Sequence, residues 1–212
     1  MKTQISHSKS VRWFLSLALL LTTTLAAAPR ARADADPRIK LWTSVGSAGA
    51  IDEADLGKLV LQGPIVSFPE APIVFQPIFL AAHIPMETIS AVVRYNVVAT
   101  DATVEGGGFL TLRARFRDDG ANAQVLLRLF EVNIDTGATS LLLTLDSNAF
   151  PAQSNFQNQA VAQYTGYKPD FVNNAYFVEA LLVQKRSPLT LVGGGRPGLA
   201  ILQLYKTGGP IS

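Results

Sequence analysis

The clearest pattern in the chain is a strict alternation of apolar and polar side chains near its middle. Apolar residues at even positions alternate with polar residues at odd positions, in the order Leu110, Thr111, Leu112, Arg113, Ala114, Arg115, Phe116 and Arg117. Successive side chains of a β-strand point to opposite faces, so this pattern predicts a half-buried strand. A helix would instead scatter the arginines around its circumference.

Similar runs recur along the chain, each rich in Val, Leu, Phe and Tyr and bounded by Gly, Asp, Asn or Pro. Short strands at this spacing are typical of an antiparallel sandwich or barrel. The predicted strands lie near residues 39–43, 59–68, 73–79, 91–100, 110–117, 123–134, 139–146, 158–164, 175–185 and 199–206. Residues 48–56 are the one place where we expect a short helix.

Two turn sequences divide the middle of the chain. Asp119-Gly120 precedes the strand predicted from residue 123, and Asp135-Thr136-Gly137 precedes the strand predicted from residue 139. Gly tolerates the positive φ that a tight reversal needs, and Asp is favoured beside it. These turns predict a three-stranded meander over residues 109–147, with Gly120 at positive φ.

Together the strands predict an all-β fold, a two-sheet antiparallel β-sandwich of the jelly-roll type. An immunoglobulin-like sandwich is the alternative. Five prolines between Pro64 and Pro85 interrupt the pattern. Proline cannot donate to a β-ladder, so that region is expected at a sheet edge or in an extended crossover.

The first 33 residues have the composition of a secretory signal peptide. Lys2, Lys9 and Arg12 give a positive start, the short segment at 11–25 is otherwise apolar, and small residues then end at Ala31-Arg32-Ala33. This order favours cleavage by signal peptidase, and the apolar segment is shorter than the roughly 20 residues that span a bilayer. We expect cleavage after Ala33, with Ala35 as the alternative. Residues 34–212 would then form a single domain without a transmembrane segment.

Removal of this segment changes the charge of the protein. Residues 1–33 hold five of the 18 basic residues and none of the 16 acidic ones, so the net charge falls from +2 to −3. A mildly acidic domain with no basic run is not expected to bind nucleic acid. The chain has no cysteine. An exported protein without disulfides is typical of bacteria, so a periplasmic or extracellular location is expected.

Catalytic motifs are scarce beyond the signal segment. His83 is the only histidine there, which excludes two-histidine metal sites, and no G-x-S-x-G sequence is present. A glycosidase-type pair of carboxylates could still be formed by residues distant in sequence. A secreted hydrolase is therefore the third functional hypothesis, and no catalytic residue is predicted.

A cluster of oxygen-bearing residues follows the alternating strand. Asp118, Asp119 and Asn122 lie within five positions. Calcium takes oxygen ligands on loops, so these residues form a weak candidate calcium site. The same residue types are also the best turn formers. No other cofactor is expected.

A stretch from residue 153 to residue 176 combines amides with aromatic rings. Sugars present hydroxyl groups and apolar ring faces, so a sugar site needs amides to exchange hydrogen bonds and aromatic rings to cover C–H surface. The candidate ligand-binding residues are Trp42, Asn158, Tyr164, Tyr167, Asn173 and Asn174. The alternative is that the aromatic rings are ordinary sandwich packing.

The polar side of the alternating strand offers a second candidate surface. Arg113, Arg115 and Arg117 share this side, and Arg94 and Arg128 were candidates for neighbouring strands. Guanidinium groups bind carboxylate or phosphate in a bidentate fork, so an acidic polysaccharide or an acidic protein surface could dock there. The alternative is cross-strand pairing to Glu131 or Glu179.

These observations predict a secreted, noncatalytic β-sandwich that binds carbohydrate or another extracytoplasmic ligand. The alternative is a structural, self-associating protein of a surface or matrix, with a surface protein as its partner. A binding module should present a cleft lined by residues of the stretch 164–176, whereas a self-associating protein should present an exposed edge strand or a large apolar patch. The identity of the ligand and the oligomeric state stay open.

The signal segment yields a direct prediction. The purified exported protein should begin at Asp34, or at Asp36 if the alternative site is used, because the A-x-A pattern ends at Ala33. Intact-mass measurement checks this. A mass that still includes residues 1–33 would contradict it.

Overall fold

The computed structural model describes residues 39–69, 86–98, 108–163, 167–186 and 195–208. Within these ranges the chain forms strands and short 3₁₀ turns, the latter at Gly46–Ala48, Glu53–Asp55 and Ser147–Ala149. The strands are β1 (Ile39–Val45), β2 (Ala50–Ile51), β3 (Val60–Gln62), β4 (Ile65–Ser67), β5 (Glu87–Val97), β6 (Gly108–Asp118), β7 (Ala123–Asn133), β8 (Thr139–Asp146), β9 (Gln153–Gln163), β10 (Asn174–Arg186) and β11 (Gly198–Gly208).

The strands form two antiparallel sheets. The first sheet has the order β3-β4-β11-β6-β9, and β1 also pairs with β11. The second sheet has the order β2-β5-β10-β7-β8. Both sheets belong to one compact unit of the chain, Pro37–Ser212.

The strand pairs are nested. The outermost pairs join β1 and the three-residue β4 to β11, followed by β5 with β10, β6 with β9 and finally the hairpin of β7 with β8. These pairs alternate between the two sheets, so the chain is one long hairpin rolled around the core. This is the jelly-roll arrangement, and it confirms the predicted fold class. An immunoglobulin sandwich pairs several consecutive strands, whereas β7 and β8 are the only consecutive pair in this nested set.

The core lies between the two sheets and is built from the inward side of each alternation. On β6, Leu112 and Phe116 have no exposed surface, and on β7 the same holds for Leu127 and Leu129. Because the side-chain period of a strand is two, the odd-numbered positions of β6 then face outward.

The predicted meander over residues 109–147 is wrong. β6 pairs with β9 and β11 in the first sheet, whereas β7 pairs with β8 and β10 in the second. Residues 119–122 therefore cross between the sheets. Gly120 has a φ of 132°, so its positive φ is confirmed although the turn is not a hairpin. The physical reason is that a reversal between facing sheets needs the same turn residues as a hairpin within one sheet.

The second turn is a true hairpin. β7 pairs with β8, and Gly137 has a φ of 71°. Backbone N–H groups of this turn are bound by the side chain of Asn133, whose Oδ1 accepts from Thr136 N at 2.9 Å. The Asp135-Thr136-Gly137 sequence thus serves a turn between two paired strands.

Other boundaries differ from the sequence prediction in detail. The strand predicted at 59–68 is split into β3 and β4 by a turn at 63–64, and β9 begins at Gln153 rather than near 158. The helix predicted within 48–56 is wrong, since two 3₁₀ turns and β2 occupy that region. The strand predicted at 73–79 lies outside the described residues.

The alternation on β6 predicts opposite costs at neighbouring positions. Leu112→Asp should lower the free energy of unfolding by about 3 kcal/mol or more, because it places an unpaired charge in the core. Arg113→Asp should change it by less than about 1 kcal/mol, since that side chain faces outward. Urea unfolding of the two variants checks the difference, and equal effects would contradict the register of β6.

Candidate binding surfaces

The residues predicted to bind a sugar do not share one surface. Trp42 is 6% exposed and lies in the core on β1, so its ring does not face solvent. Asn158 is exposed on the outer face of the first sheet, where it lies opposite Arg115 of β6. Tyr164 lies outside the described residues. The remaining three lie together near the start of β10.

Two of those three residues bind one carboxylate oxygen. Glu131 Oε1 accepts hydrogen bonds from Tyr167 Oη at 2.6 Å, from Asn174 Nδ2 at 2.7 Å and from Tyr176 Oη at 2.9 Å. The Tyr176 hydroxyl also accepts from Asp170 N at 2.8 Å. We refer to Glu131, Tyr167, Asp170, Asn174 and Tyr176 as the Glu131 cluster.

The phenols of this cluster are held in their neutral form. Burial, and then the hydrogen bond to Glu131, raise the pKa of Tyr167 well above its usual range. Burial also raises the pKa of Tyr176. A phenolate beside a carboxylate in a partly desolvated place is unfavourable, so both hydroxyls remain donors to Glu131 at neutral pH.

Asn173, the last predicted residue of this group, belongs to a turn before β10. Asp170 Oδ2 accepts from Asn173 Nδ2 at 2.7 Å, and Asp170 Oδ1 accepts from the backbone of Val172 and Asn173 at 2.9 and 3.2 Å. The hydrogen bond from the Asn173 side chain, followed by those from the backbone, lowers the pKa of Asp170. The amides in this stretch therefore hold the segment that leads into β10.

Sequence reasoning did not find the role of Glu131. The residue had been a candidate partner for an arginine, but it binds two phenols and an amide instead. A signal was available, because Glu131 continues the inward series of Val125, Leu127 and Leu129 on β7. A carboxylate on the apolar side of an alternation needs hydrogen-bond donors nearby.

The calcium candidates lie in the crossing between β6 and β7. Asp118 is 3% exposed, and its carboxylate accepts from the Ser147 hydroxyl and from Gly120 N. Asp119 Oδ1 accepts from Arg196 N at 2.7 Å, and the carbonyl of Asn122 accepts from Lys185 N at 2.8 Å. These contacts join the crossing to the chain around residues 147 and 196. No group of three or more metal-ligating side chains occurs within the described ranges, and calcium binding by Asp118, Asp119 and Asn122 stays a prediction.

A row of arginines runs along the outer face of β6. We define Arg113, Arg115 and Arg117 as the arginine strip. Gln203 of β11 and Ala160 of β9 lie beside Arg113, and Ile201 and Asn158 lie beside Arg115. This places two amides next to the two guanidinium groups on the outer side of the sheet, where Arg113 is partly exposed and Arg115 is exposed.

The members of the strip differ in their contacts. Arg117 Nε donates to the carbonyl of Arg196 at 2.9 Å, and its guanidinium lies 5.4 Å from the centre of the Phe156 ring. In the part of the chain that the structure describes, neither Arg113 nor Arg115 makes an ion pair or a side-chain hydrogen bond. Their donors are therefore available at the surface.

The arginines of the second sheet are different, because carboxylates neutralise them. Arg94 binds Asp52 at 3.0 Å and Glu179 at 3.2 Å, and Arg128 also binds Glu179. The hydrogen bond to Asp52 is the main cause that raises the pKa of Arg94. The interpretation that Arg94 and Arg128 could neighbour the strip is wrong, since both lie on the other sheet. The predicted pairing with Glu179 is confirmed for these two residues.

The charges of the strands are divided between the sheets. The six strands of the first sheet contain five basic residues and one acidic residue, the buried Asp118. The five strands of the second sheet contain four of each. Lys206 is buried, so the positive charge of the outer face comes from the arginine strip, which no carboxylate of these strands accompanies on that face. No helix within the described ranges is long and apolar enough to cross a membrane.

No family model and no curated protein matches the chain. Among solved structures it is similar to TmCBM61 in complex with beta-1,4-galactotriose, with 9% identity, coverage of 78% of this chain and 87% of that chain, and a TM-score of 0.34. It is also similar to the enzymatically active domain of bacteriophage CBA120 tailspike protein 4, with 12% identity, coverage of 79% of this chain and 18% of that chain, and a TM-score of 0.33. Similarity at this level carries no information about a ligand of this chain.

The Glu131 cluster predicts that Tyr167 contributes to the fold. Tyr167→Phe should lower the free energy of unfolding by about 1–2 kcal/mol, because it leaves a partly buried carboxylate with one donor fewer. Val172→Ala, at a residue that is 84% exposed in the same segment, should change it by less than about 0.5 kcal/mol. Urea unfolding measures both. A Tyr167→Phe variant as stable as the wild type would contradict a role of this hydroxyl in stability and would favour a role in ligand binding.

Proposed function

We propose that this protein is an exported, noncatalytic carbohydrate-binding module, and that its ligand is an acidic polysaccharide bound along the arginine strip. The observation that carries the proposal is the pair Arg113 and Arg115, whose guanidinium groups face outward on a sheet without a carboxylate beside them. A side chain that only solvates a sheet face is commonly accompanied by a cross-strand partner, as Arg94 and Arg128 are by Glu179.

The neighbours of the strip suit a sugar chain. Each guanidinium can donate two parallel hydrogen bonds to a carboxylate or sulfate group. Asn158 and Gln203 supply amides that both donate to and accept from hydroxyls. Phe156 lies under Arg117 at the end of the strip, and its ring attracts and orients that guanidinium. Members of an alternating face lie about 6.6 Å apart along the strand, so an extended ligand can contact several in turn.

A carbohydrate site on this face uses few of the residues that the sequence predicts to bind a sugar. Asn158 remains a ligand-binding residue, whereas Tyr167, Asn173 and Asn174 have their polar groups engaged within the Glu131 cluster and its turn. Binding then depends on charge and amides on a flat face rather than on an aromatic platform.

The proposal predicts that binding depends on charge and salt. The wild type should be retained by immobilised polygalacturonate and not by a neutral galactan, with retention falling as salt is raised. The double variant Arg113→Ala/Arg115→Ala should lose at least about 10-fold in affinity, because charge-assisted hydrogen bonds are removed, with little change in melting temperature.

The matched control is Arg186→Ala, which removes the same kind of charge from the second sheet, where Arg186 pairs with Glu87 at 3.2 Å. It should bind like the wild type. If the wild type binds neither polysaccharide, the carbohydrate proposal fails. If Arg186→Ala weakens binding as much as the double variant, the effect is one of net charge and the strip is not the site.

A further inference from the structure

The second open feature of the first sheet is its edge strand β9. β9 pairs with β6 on one side, and within the described ranges no strand pairs with it on the other. The strand is 11 residues long and reads QSNFQNQAVAQ, without a charged residue or a proline. Every second residue of an edge strand directs its backbone N–H and C=O groups away from the sheet, where another strand can bind them.

The other edges carry features that discourage strand addition. β2 and β3 have only two and three residues. β1 contains a lysine and a register shift between Lys40 and Trp42. β8 has eight residues, shifts register at its pairing with Leu129/Phe130 and ends in Asp146. Short strands, charges and bulges are the usual protection of a sheet edge, and β9 has only the bulge where Asp118 pairs with Gln153.

We propose that β9 is a self-association edge, on which a second copy of this chain adds its own β9 in antiparallel orientation about a twofold axis at Asn158. The sequence Gln157-Asn158-Gln159 reads the same in both directions. An isologous interface brings identical patches together, so such a palindrome sets like amides opposite one another.

The register that this axis imposes is favourable along the strand. Asn158 lies opposite Asn158, Gln157 opposite Gln159, and Phe156 opposite the small Ala160. Because β9 has no charged residue, no like charges meet across the new pair. The exposed Asn158 amides can hydrogen-bond to each other across the axis, whereas the amides of Gln157 and Gln159 are engaged within each copy. The ring of Phe156 has room beside the methyl group of Ala160.

The pairing would join the two copies of the first sheet into one. Three strand spacings then separate β6 of one copy from β6 of the other, a distance of about 14 Å. Both arginine strips would lie on the same face of the joined sheet. Asn158 belongs both to the axis and to the proposed sugar site, but the arginines of the strip lie on β6, so self-association without polysaccharide and retention by polysaccharide are measured separately.

Sedimentation velocity of the purified protein over a range of concentrations tests the proposal. The wild type should form a concentration-dependent dimer. Asn158→Lys and Asn158→Asp should each be monomeric, because like charges meet at the axis, and an equimolar mixture of the two should again form a dimer. Thr144→Lys, an exposed position on β8, should dimerise like the wild type. A monomeric wild type, a dimeric Asn158→Lys variant or a mixture that stays monomeric would each overturn the proposal.

A cross-link provides an independent measurement. The chain has no cysteine, so Asn158→Cys introduces one thiol per copy. Opposite residues of an antiparallel pair have Cα atoms about 4.5–5.5 Å apart, which a disulfide can span. Mild oxidation should convert most of Asn158→Cys into a covalent dimer and leave Thr144→Cys largely monomeric. Equal cross-linking of the two variants would contradict pairing through β9.

Discussion

The burial of two apolar rows against each other determines the rest of this molecule. β6 and β7 are adjacent in sequence and each turns every second side chain towards the core, yet they do not pair. Each contributes fully buried leucines to the core from opposite sheets. Because the two strands face each other, the chain passes from the first sheet to the second at residues 119–122. Within the first sheet, β6 then lies beside β9 and β11. The arginine strip and the open edge both follow from that placement, because the inward row on β6 fixes which side chains face outward and which strand lies next to it.

The sequence was informative wherever one strand could be read alone. The alternation at 110–117 gave the correct inward residues, and the Asp135-Thr136-Gly137 turn gave the correct hairpin, whereas Thr111 on the polar side is buried. It was not informative about which strands pair. Gly120 has positive φ whether the chain returns along the same sheet or crosses to the other, so local turn chemistry could not separate the two. Which strands pair depends on contacts between distant segments, such as β4 with β11 and β5 with β10. A local sequence pattern does not predict these contacts.

The candidate sites show the same division. Amides and aromatic rings near residues 153–176 were recognised, but their use depends on Glu131, which is more than 20 positions away from the start of that stretch. Once the carboxylate lies on the inner side of β7, Tyr167 and Asn174 become its donors. The net charge of the chain does not reveal that the acidic residues are divided unequally between the sheets, since it sums the charges of both sheets. A face can be strongly positive in a protein whose total charge is small.

The nested pairing has a consequence for how the chain reaches its folded state. The hairpin of β7 and β8 needs only local contacts, but each outer pair joins segments farther apart in sequence, and β4 has no long-range partner until β11 is present. Contacts between distant segments form slowly, because a long loop must be closed before they are gained. During synthesis β1 would therefore have no partner, and β4 only its neighbour β3, until β11 has been made.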